Sequence, residues 1–157
     1  MKFEEIYDVY SPKIFRVCMA YINDYEQARD LTQETFIAVW QNLPSFRNES
    51  LISTWIFRIA TNNCLRALER SKRTHTTELP TQIPIVQEES QEEKLTFLYR
   101  CIAELEETEK IIISLVLEEI PQAEIASIVG LSEVNTRVKI HRIKDKLSKK
   151  FKDHERF

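Results

Sequence analysis

Apolar residues recur at helical spacing near the start of the chain. They advance in alternating steps of three and four residues, which is the pattern of an amphipathic helix. The members of this first stripe are Ile14, Val17, Cys18, Tyr21 and Ile22. Serine commonly caps helices and proline is tolerated in the first turn, so the pair Ser11-Pro12 predicts where this helix begins.

Two further amphipathic stripes follow before residue 74. Asp24, with Gln27 three residues later, resembles a capping box and predicts the start of a second helix, which ends near Trp40. Its inward residues are Ala28, Leu31, Thr35, Phe36 and Val39. Pro44 then interrupts the pattern and predicts a loop. The third stripe consists of Ile52, Trp55, Ile56, Ile59, Ala60 and Asn63.

The helical period disappears between residues 74 and 92. This stretch, THTTELPTQIPIVQEESQE, has two prolines and a cluster of threonines. Loops of about twenty residues are uncommon inside compact domains. The pattern therefore predicts two domains, residues 1–73 and 93–157, joined by a flexible linker over residues 74–92.

The helical period returns in the second half of the chain. Its first two stripes are Leu95, Leu98, Ile102 and Leu105, followed by Ile111, Ile112, Leu115 and Val116. Thr108 is placed to cap the second of these helices, and a short helix over residues 122–129 runs into Gly130. Ser132 is placed to cap a final helix. The stripe of that helix is Thr136, Ile140, Ile143, Leu147 and Phe151. The predicted fold class is all-α, with two small helical domains.

Gly130 is the only glycine in 157 residues, whereas a chain of this length would usually have about eleven. Walker loops, dinucleotide-binding GxGxxG turns and glycine-turn hairpins all require glycines that this chain lacks. A nucleotide-dependent enzyme of the common kinds is therefore not expected, and no cofactor is predicted.

The surroundings of Gly130 indicate a tight turn between two helices. Glycine adopts a positive φ without the clash that costs other residues about 1–2 kcal/mol. Ala126, four residues earlier, is small enough for the two helices to approach, and Leu131 is placed to fill the turn. This spacing is typical of a DNA-reading helix-turn-helix, although an ordinary helical hairpin remains an alternative.

Positive charge is concentrated in two segments, although the formal net charge of the chain is −3. Residues 137–152 hold eight Lys or Arg against one acidic residue, and residues 61–73 hold four against one. Residues 78–109 are strongly acidic. A polyanion responds to local charge within about 10 Å, so the two basic segments favour nucleic-acid binding.

The apolar stripe of the last helix leaves a basic face outside. Arginine can bond guanine edges or phosphates, and valine can contact a thymine methyl group. The side chains predicted to meet DNA are Asn135, Arg137, Val138, Lys139, His141, Arg142 and Lys144. The lysines beyond Lys144 are better explained as a solvated helix surface.

The three cysteines, Cys18, Cys64 and Cys101, are far apart, and no CxxC or His–Cys spacing indicates a metal site. The first ten residues contain acids where a signal peptide would need an apolar run. No apolar run approaches the roughly 18 residues of a membrane span. These features predict an intracellular, cytoplasmic protein.

Three segments of the chain resemble bacterial sigma factors of the extracytoplasmic-function (ECF) type, group 4 of the sigma-70 family. Residues 24–46, DYEQARDLTQETFIAVWQNLPSF, are similar to the family's second conserved region. Residues 53–73, STWIFRIATNNCLRALERSKR, are similar to its promoter-melting segment, and residues 124–147 to the helix-turn-helix that reads the −35 element. The matching positions of the first two segments are Ala28, Asp30, Leu31, Gln33, Glu34, Phe36, Trp40, Thr54, Trp55, Ile56, Ile59, Ala60 and Asn62.

The chain departs from the family pattern at two positions. Pro121 stands where serine or threonine is usual, so the first helix of the turn loses a side-chain cap. Thr136 stands where valine is usual, and its hydroxyl needs a partner, for which the backbone carbonyl four residues earlier is a candidate.

The resemblance implies three binding surfaces. The residues implied to bind the RNA polymerase core are Asp30, Gln33, Glu34 and Trp40. Those implied to bind the melted −10 strand are Phe46, Arg47, Asn62, Arg66 and Arg70. The last helix would read the −35 duplex.

The resemblance also implies partners and excludes others. Core polymerase and promoter DNA are expected partners, commonly together with an anti-sigma factor, while no small-molecule substrate and no catalytic activity are expected. For Phe46 the alternative is a loop anchor that packs on the core. Trp55 is expected to pack in the core because it lies on the predicted buried stripe.

Two other functions compete with this interpretation. A stand-alone helix-turn-helix regulator would sense a ligand or dimerise through its first half and bind duplex DNA alone at a palindrome. Phe46, Arg47 and the TWxxxIAxN block favour the sigma interpretation, because a sensor domain has no need of them. An enzyme that uses cysteine and histidine would need a base oriented towards a nucleophile, and the sequence indicates none.

Overall fold

The computed structural model describes residues 2–74 and 90–155, and these residues form helices connected by short turns. The helices are α1 Phe3–Ile22, α2 Tyr25–Asn42, α3 Ile52–Thr74, α4 Ser90–Ala103, α5 Glu107–Leu117, α6 Gln122–Val129 and α7 Glu133–Glu155. A short 3-10 helix, Leu43–Ser45, follows α2. The described ranges contain no strand, and the predicted all-α class is confirmed. Most of the predicted linker, residues 75–89, lies outside the described residues.

Helix α1 begins at Phe3, so the start predicted at Ser11-Pro12 is wrong. Pro12 lies inside the helix, where it removes a backbone hydrogen bond. The turns before it are stabilised by packing, because Ile6 is fully buried and the Tyr7 ring meets the edge of Phe36 at 5.0 Å. The sequence pattern around Pro12 does not reveal these tertiary contacts.

Helix α1 is buried on more than one face. Its residues 17–21 are all buried, whereas an amphipathic helix buries a single stripe. The reason is that α1 contacts α2 and α3 in its own half of the chain and also α4 and α5 in the second half. Residues 111–115 of α5 are likewise all buried, because α5 packs between α1 and the pair α6 and α7. A single hydrophobic core therefore runs through both halves.

The buried stripe of α3 is displaced from the predicted one. Phe57, absent from the prediction, is fully buried and meets the ring of Tyr10 edge-on at 6.3 Å. Trp55 and Asn63, both predicted to face inward, are only partly buried. Since α3 packs against both α1 and α2, its buried surface is wider than one stripe and is centred closer to Phe57.

One of the helix caps predicted from the sequence is present in the structure, and another is not. Asp24 caps α2 as predicted, because its carboxylate accepts the Gln27 backbone N–H at 3.1 Å. Helix α5 begins before Thr108, with Glu106 at its N-cap position. The Glu106 backbone N–H donates to the Glu109 carboxylate at 3.3 Å, and this bond replaces the cap predicted from Thr108.

The final helix α7 is tied to α5 by a buried carboxylate. Lys146 Nζ lies 2.9 Å from Glu109 Oε2 and 3.1 Å from Oε1, and the Glu109 side chain is only 10% exposed. Burial by itself raises the pKa of Glu109, but the bonds from Lys146 and from the Glu106 N–H outweigh it and leave the pKa below its usual range. A second pair, Lys150 with Glu104 at 2.6 Å, lies further along α7.

The turn between α5 and α6 places a glutamate in the left-handed region. Glu119 has φ 59°, its N–H donates to the Val116 carbonyl at 2.9 Å, and the Ile120 N–H donates to the Leu115 carbonyl at 3.2 Å. These two bonds form a Schellman motif, whose left-handed position usually holds glycine. The exposed Glu119 therefore carries backbone strain.

Replacing Glu119 with glycine should raise the free energy of unfolding by about 0.5–1 kcal/mol. The relief of left-handed strain, about 1–2 kcal/mol, exceeds the extra entropy of glycine in the unfolded chain, about 0.5–1 kcal/mol. Urea denaturation followed by circular dichroism measures the change. Glu119→Ala keeps a Cβ atom and the strain, so an equal gain in that variant would contradict the explanation.

Replacing Lys146 with alanine should lower stability at pH 7 by about 1 kcal/mol, a modest value because Lys146 is about half exposed. Because folding lowers the pKa of Glu109, its contribution is complete above the ordinary value of 4.5 and is lost as the pH falls through the lower folded value. The variant should therefore show a weaker loss of stability in acid. Lys149→Ala, which removes a lysine from an exposed pair with Asp145, is the matched control. An acid profile of Lys146→Ala identical to that of the unmodified protein would contradict this account.

Candidate nucleic-acid interface

The lone glycine ends α6 in the left-handed conformation. Gly130 has φ 75° and ψ 32°, and its N–H donates to the Ala126 carbonyl at 2.9 Å. The Leu131 N–H donates to the same carbonyl at 3.1 Å. A Cβ atom added at Gly130 would meet no other described atom within 4 Å, so the need for glycine comes from its backbone conformation alone. The turn predicted from the sequence is present.

The start of α7 is fixed by two local hydrogen bonds. Ser132 Oγ accepts the Asn135 backbone N–H at 3.1 Å, as expected of a cap. The buried Thr136 hydroxyl donates to the Ser132 carbonyl at 2.8 Å, which is the partner predicted for it. Pro121 occupies the N-cap position of α6 and has no side-chain acceptor to offer. Helix α6 therefore relies on packing, with Ile125, Ala126 and Ile128 buried.

The outer face of α7 is basic and exposed. Thr136, Ile143 and Leu147 are buried as predicted, and Phe151 packs against the ring of Phe97 at 5.0 Å. The predicted DNA-facing residues that are exposed are Asn135, Arg137, Val138, His141, Arg142 and Lys144, while Lys139 is partly buried. Lys146 pairs with Glu109 of α5, and Lys150 pairs with Glu104 in the turn after α4, so the basic charge available to a ligand is concentrated on the first half of α7.

The loop after α2 carries an aromatic pair. Phe46 is partly buried and stacks on Trp55, with ring centroids 4.7 Å apart and an interplanar angle of 29°. The adjacent Arg47 is exposed. Trp55 is partly buried and packs against the core. One face of its ring contacts Phe46 of the loop. The two rings together form a partly exposed aromatic surface next to a cation.

Beyond Trp55, helix α3 carries a row of exposed polar and basic side chains. Asn62, Arg66 and Arg70 are exposed and follow one another at intervals of four residues. Arg58, one interval earlier, belongs to the same row and was not predicted from the sequence. Its guanidinium donates to the Ser127 carbonyl and to Ser127 Oγ, both at 3.1 Å. The spacing of four residues from Asn62 was the signal that could have identified it.

Helix α2 presents a mixed polar and apolar face to solvent. Asp30, Gln33 and Glu34 are exposed, and Trp40 is 63% exposed. Ile37, which was not predicted, is 56% exposed on the same helix. Two large apolar side chains in solvent next to acidic and amide groups are typical of a surface that binds another protein.

The part of the chain that the structure describes contains no helix long and apolar enough to cross a membrane.

Two family models match the chain in sequence order. The Sigma-70 region 2 model matches residues 6–74, which cover most of α1 to α3. The Sigma-70 region 4 model matches residues 98–147, which run from the end of α4 through α5 and α6 and include most of α7.

Two curated proteins of Bacillus subtilis (strain 168) illustrate the relationship. The RNA polymerase sigma factor YlaC is 31% identical over 157 aligned residues, which cover 93% of this chain and 90% of YlaC. The ECF RNA polymerase sigma factor SigW is 36% identical over 70 residues, which cover 45% of this chain but only 37% of SigW.

Solved structures share the fold at lower sequence identity. The sigma factor RpoE from Bartonella quintana, solved with the anti-sigma factor NepR, has a TM-score of 0.80 at 18% identity. The alignment covers 96% of this chain and 96% of RpoE. CnrH, solved with the cytosolic domain of CnrY, has a TM-score of 0.75 at 20% identity, covering 96% of this chain and 88% of CnrH. With both conserved regions in order and a relative aligned over nearly its whole length, this chain belongs to the ECF sigma factors of the sigma-70 family.

Proposed function

We propose that this protein binds core RNA polymerase and directs promoter-specific initiation by reading −35 duplex DNA and the melted −10 strand. The observation that carries the proposal is the presence of both sigma-70 regions in one chain. Each region also presents exposed side chains suited to its share of the promoter. We further propose the domain division suggested by the sequence, residues 1–73 and 93–157 with a linker over residues 74–92, of which Thr74 ends α3 and residues 90–92 begin α4.

Helix α7 is proposed to enter the major groove of the −35 element. Arg137 and Arg142 are suited to guanine edges or phosphates, and Val138 is suited to a thymine methyl group. Asn135, Lys139, His141 and Lys144 complete the proposed reading face. The fixed start of α7 at Ser132 supports this role, because a recognition helix must be held at a defined angle.

The loop after α2 and the row of residues on α3 are proposed to hold the unstacked −10 strand. A base stacked on an aromatic side chain contributes about 1–3 kcal/mol. Phe46 is suited to this role, with Trp55 supporting its ring. Arg47 is placed to neutralise phosphates beside it. On α3 the proposed strand-binding residues are Asn62, Arg66 and Arg70.

The outer face of α2 is proposed to bind core polymerase. Asp30, Gln33 and Glu34 supply polar contacts, while Trp40 and the additional residue Ile37 supply apolar area that another protein would cover. Trp40 is the expected energetic centre, because exposed tryptophans are common among residues that dominate binding.

The remaining parts of the proposal concern partners and location. An anti-sigma factor is a proposed partner, as in the solved complexes of RpoE with NepR and CnrH with CnrY. The polymerase performs the chemistry, so neither a catalytic site nor a cofactor is assigned to this chain. Its place of action would be the cytoplasm, where promoter DNA and polymerase are found. A stand-alone regulator is not favoured, because it would not require both sigma regions.

In vitro transcription with purified core polymerase on fragments of the source genome tests the proposed function. Once a promoter is found, Arg142→Ala should lower initiation about tenfold and relax the −35 preference, as expected for loss of a base contact worth about 1–3 kcal/mol. Asn62→Ala should weaken −10 recognition with core binding intact. Lys149→Ala, on the same helix but paired with Asp145, is the matched control for Arg142→Ala.

Failure of the unmodified protein to bind core or to start transcription on any fragment would overturn the sigma function. Loss of core binding in both single variants would instead indicate misfolding. Specific binding of the chain alone to a palindromic duplex would favour the stand-alone regulator.

Replacing Gly130 with valine should weaken −35 recognition before core binding. The left-handed conformation costs a β-branched residue about 1–2 kcal/mol or more, and the strain lies at the turn that aims α7. Gly130→Asn is the control, because asparagine tolerates this conformation. Competition between −35 duplexes and titration with core polymerase measure the two effects. Equal damage by valine and asparagine would contradict the conformational explanation.

A further inference from the structure

Two cysteines of sigma-70 region 2 meet inside its core. Cys18 lies on α1 and Cys64 on α3, 46 positions apart in the chain, and both side chains are buried. The Cys64 thiol donates to Cys18 Sγ, with the two sulfur atoms 3.8 Å apart. Both are free thiols, as is the third cysteine, Cys101, which lies on α4. Two thiols in contact can be joined by a disulfide.

A disulfide between α1 and α3 would need only a small movement. Bonded sulfur atoms are about 2.05 Å apart, so Cys18 and Cys64 must approach each other by about 1.8 Å. Side-chain rotation and a closer approach of α1 to α3 can each supply part of this distance. Because protein interiors are close-packed and hold few voids, the closer approach shifts the backbone of α3 around residue 64.

A surface cavity next to the thiol pair offers a route for a small oxidant. The cavity has a volume of about 510 Å³, and its lining includes Leu68 of α3 and Lys110 of α5. Lys110 Nζ lies 5.8 Å from the centroid of the Tyr21 ring. Burial, and then the nearby Glu107 and Cys64, raise the pKa of Tyr21. Since Glu107 also lines the cavity, Tyr21 neighbours both the cavity wall and the thiols.

The Tyr21 hydroxyl is a buried polar group without a partner. Tyr21 is only 2% exposed, and no donor or acceptor among the described residues reaches its hydroxyl. Buried hydroxyls are normally hydrogen-bonded, so an unpaired one in a folded protein calls for an explanation. Hydrogen peroxide offers both a donor and an acceptor, and the Tyr21 hydroxyl can bind it near Cys64.

We propose that Cys18 and Cys64 form a redox-sensitive pair that hydrogen peroxide converts to an intramolecular disulfide. The Cys64 thiolate attacks one peroxide oxygen, the O–O bond breaks, and the departing hydroxide combines with the thiol proton as water. This step leaves a sulfenic acid on Cys64. Cys18 Sγ then attacks Cys64 Sγ, the S–O bond breaks, and the hydroxyl leaves with the Cys18 proton as a second water. The two thiols lose two electrons, and one peroxide is reduced.

The buried setting of the pair governs the rate of this reaction. The hydrogen bond to Cys18 and burial both raise the pKa of the Cys64 thiol, so little thiolate is present in the folded protein. The pair should therefore respond slowly and to sustained peroxide, in contrast to exposed thiols of low pKa.

The disulfide would act on the proposed strand-binding row of α3. Cys64 lies midway between Asn62 and Arg66, on the opposite side of the same helical turn. A backbone shift at residue 64 therefore moves both of these side chains, whereas α2, which is proposed to bind core polymerase, carries neither cysteine. Oxidation lowers binding of the −10 strand and leaves core binding in place. This consequence rests on the proposed sigma function, while formation of the disulfide does not.

Disulfide formation can be tested on the full-length protein without polymerase. Reduced protein is incubated with millimolar hydrogen peroxide, treated with catalase, and unfolded in guanidinium that contains iodoacetamide. Mass spectrometry should then find one alkylated cysteine in place of three, with Cys101 as the remaining thiol. The tryptic peptides 17–29 and 59–66 should be joined, and dithiothreitol should separate them.

Cysteine variants identify the pair. Cys18→Ala and Cys64→Ala should each abolish the link, and Cys101→Ala is the matched control that should still form it. The link should also raise the melting temperature of the unmodified protein by roughly 10 °C, because it joins residues 46 positions apart. Circular dichroism of each variant checks that the helices are retained. Three alkylated cysteines after prolonged oxidation, or a sulfinic acid at Cys64 without a link, would overturn the proposal.

In vitro transcription separates the redox pair from the proposed function. Protein that is oxidised and freed of peroxide beforehand should bind core polymerase as tightly as reduced protein. It should initiate about tenfold less often, which is the effect of losing one base contact. Cys64→Ala should initiate equally with and without the peroxide treatment.

Equal initiation by the reduced and the disulfide-linked protein would overturn the effect on the −10 strand. Initiation by the reduced protein, with no link formed under peroxide, overturns the redox pair alone. A link in a protein that fails to initiate when reduced overturns the sigma function alone.

Discussion

The burial of α1 between the two halves of the chain is the interaction on which the rest of this structure depends. Residues 17–21 are buried on successive faces because α2 and α3 pack on one side and α4 and α5 on the other. Domains of about 60–70 residues bury only about 60% of the surface that their unfolded chains expose. Sharing α1 and α5 gives both halves a larger common core than either has alone.

The shared core opposes any separation of the two halves. Polar links across the interface include Arg16 with Glu118, and the contacts of Glu124 and Ser127 with α3. Hydrogen bonds from exposed groups exchange readily for water or for another charged partner, although the Glu118 side chain is only 8% exposed. The apolar contacts of α1 with α5 are more costly to lose. Separation of the two halves would therefore need a partner that offers comparable apolar contacts, and in the proposed complex with core polymerase Trp40 and Ile37 of α2 are suited to that role.

Features fixed by local chemistry could be predicted from the sequence. The cap at Asp24, the turn at Gly130 and the inward stripe of α7 depend on residues within a few positions of one another, and the structure contains all three. Features fixed by distant contacts could not. Helix α1 begins nine residues before Pro12 because its first turns pack on Phe36. The packing of Phe57 against Tyr10 shifts the buried face of α3.

The candidate site shows the same division. The exposed face of α7 follows from helical period, whereas the bonds of Arg58 to Ser127 depend on the packing of α6 against α3. The exposure of Ile37 could not be predicted either, because it depends on which side of α2 packs against α1 and α3. The surfaces proposed for polymerase and DNA remain predictions, because their evidence is exposure and chemistry on a shared family fold.

The distance between the two halves in solution tests the central claim most directly. Fluorophores attached at Glu26→Cys on α2 and Ser148→Cys on α7 would report it, since the three native cysteines are buried. The free protein should give a single separation below about 40 Å, and binding of core polymerase should increase it by tens of ångströms. An unchanged separation in a polymerase complex that starts transcription would contradict the account.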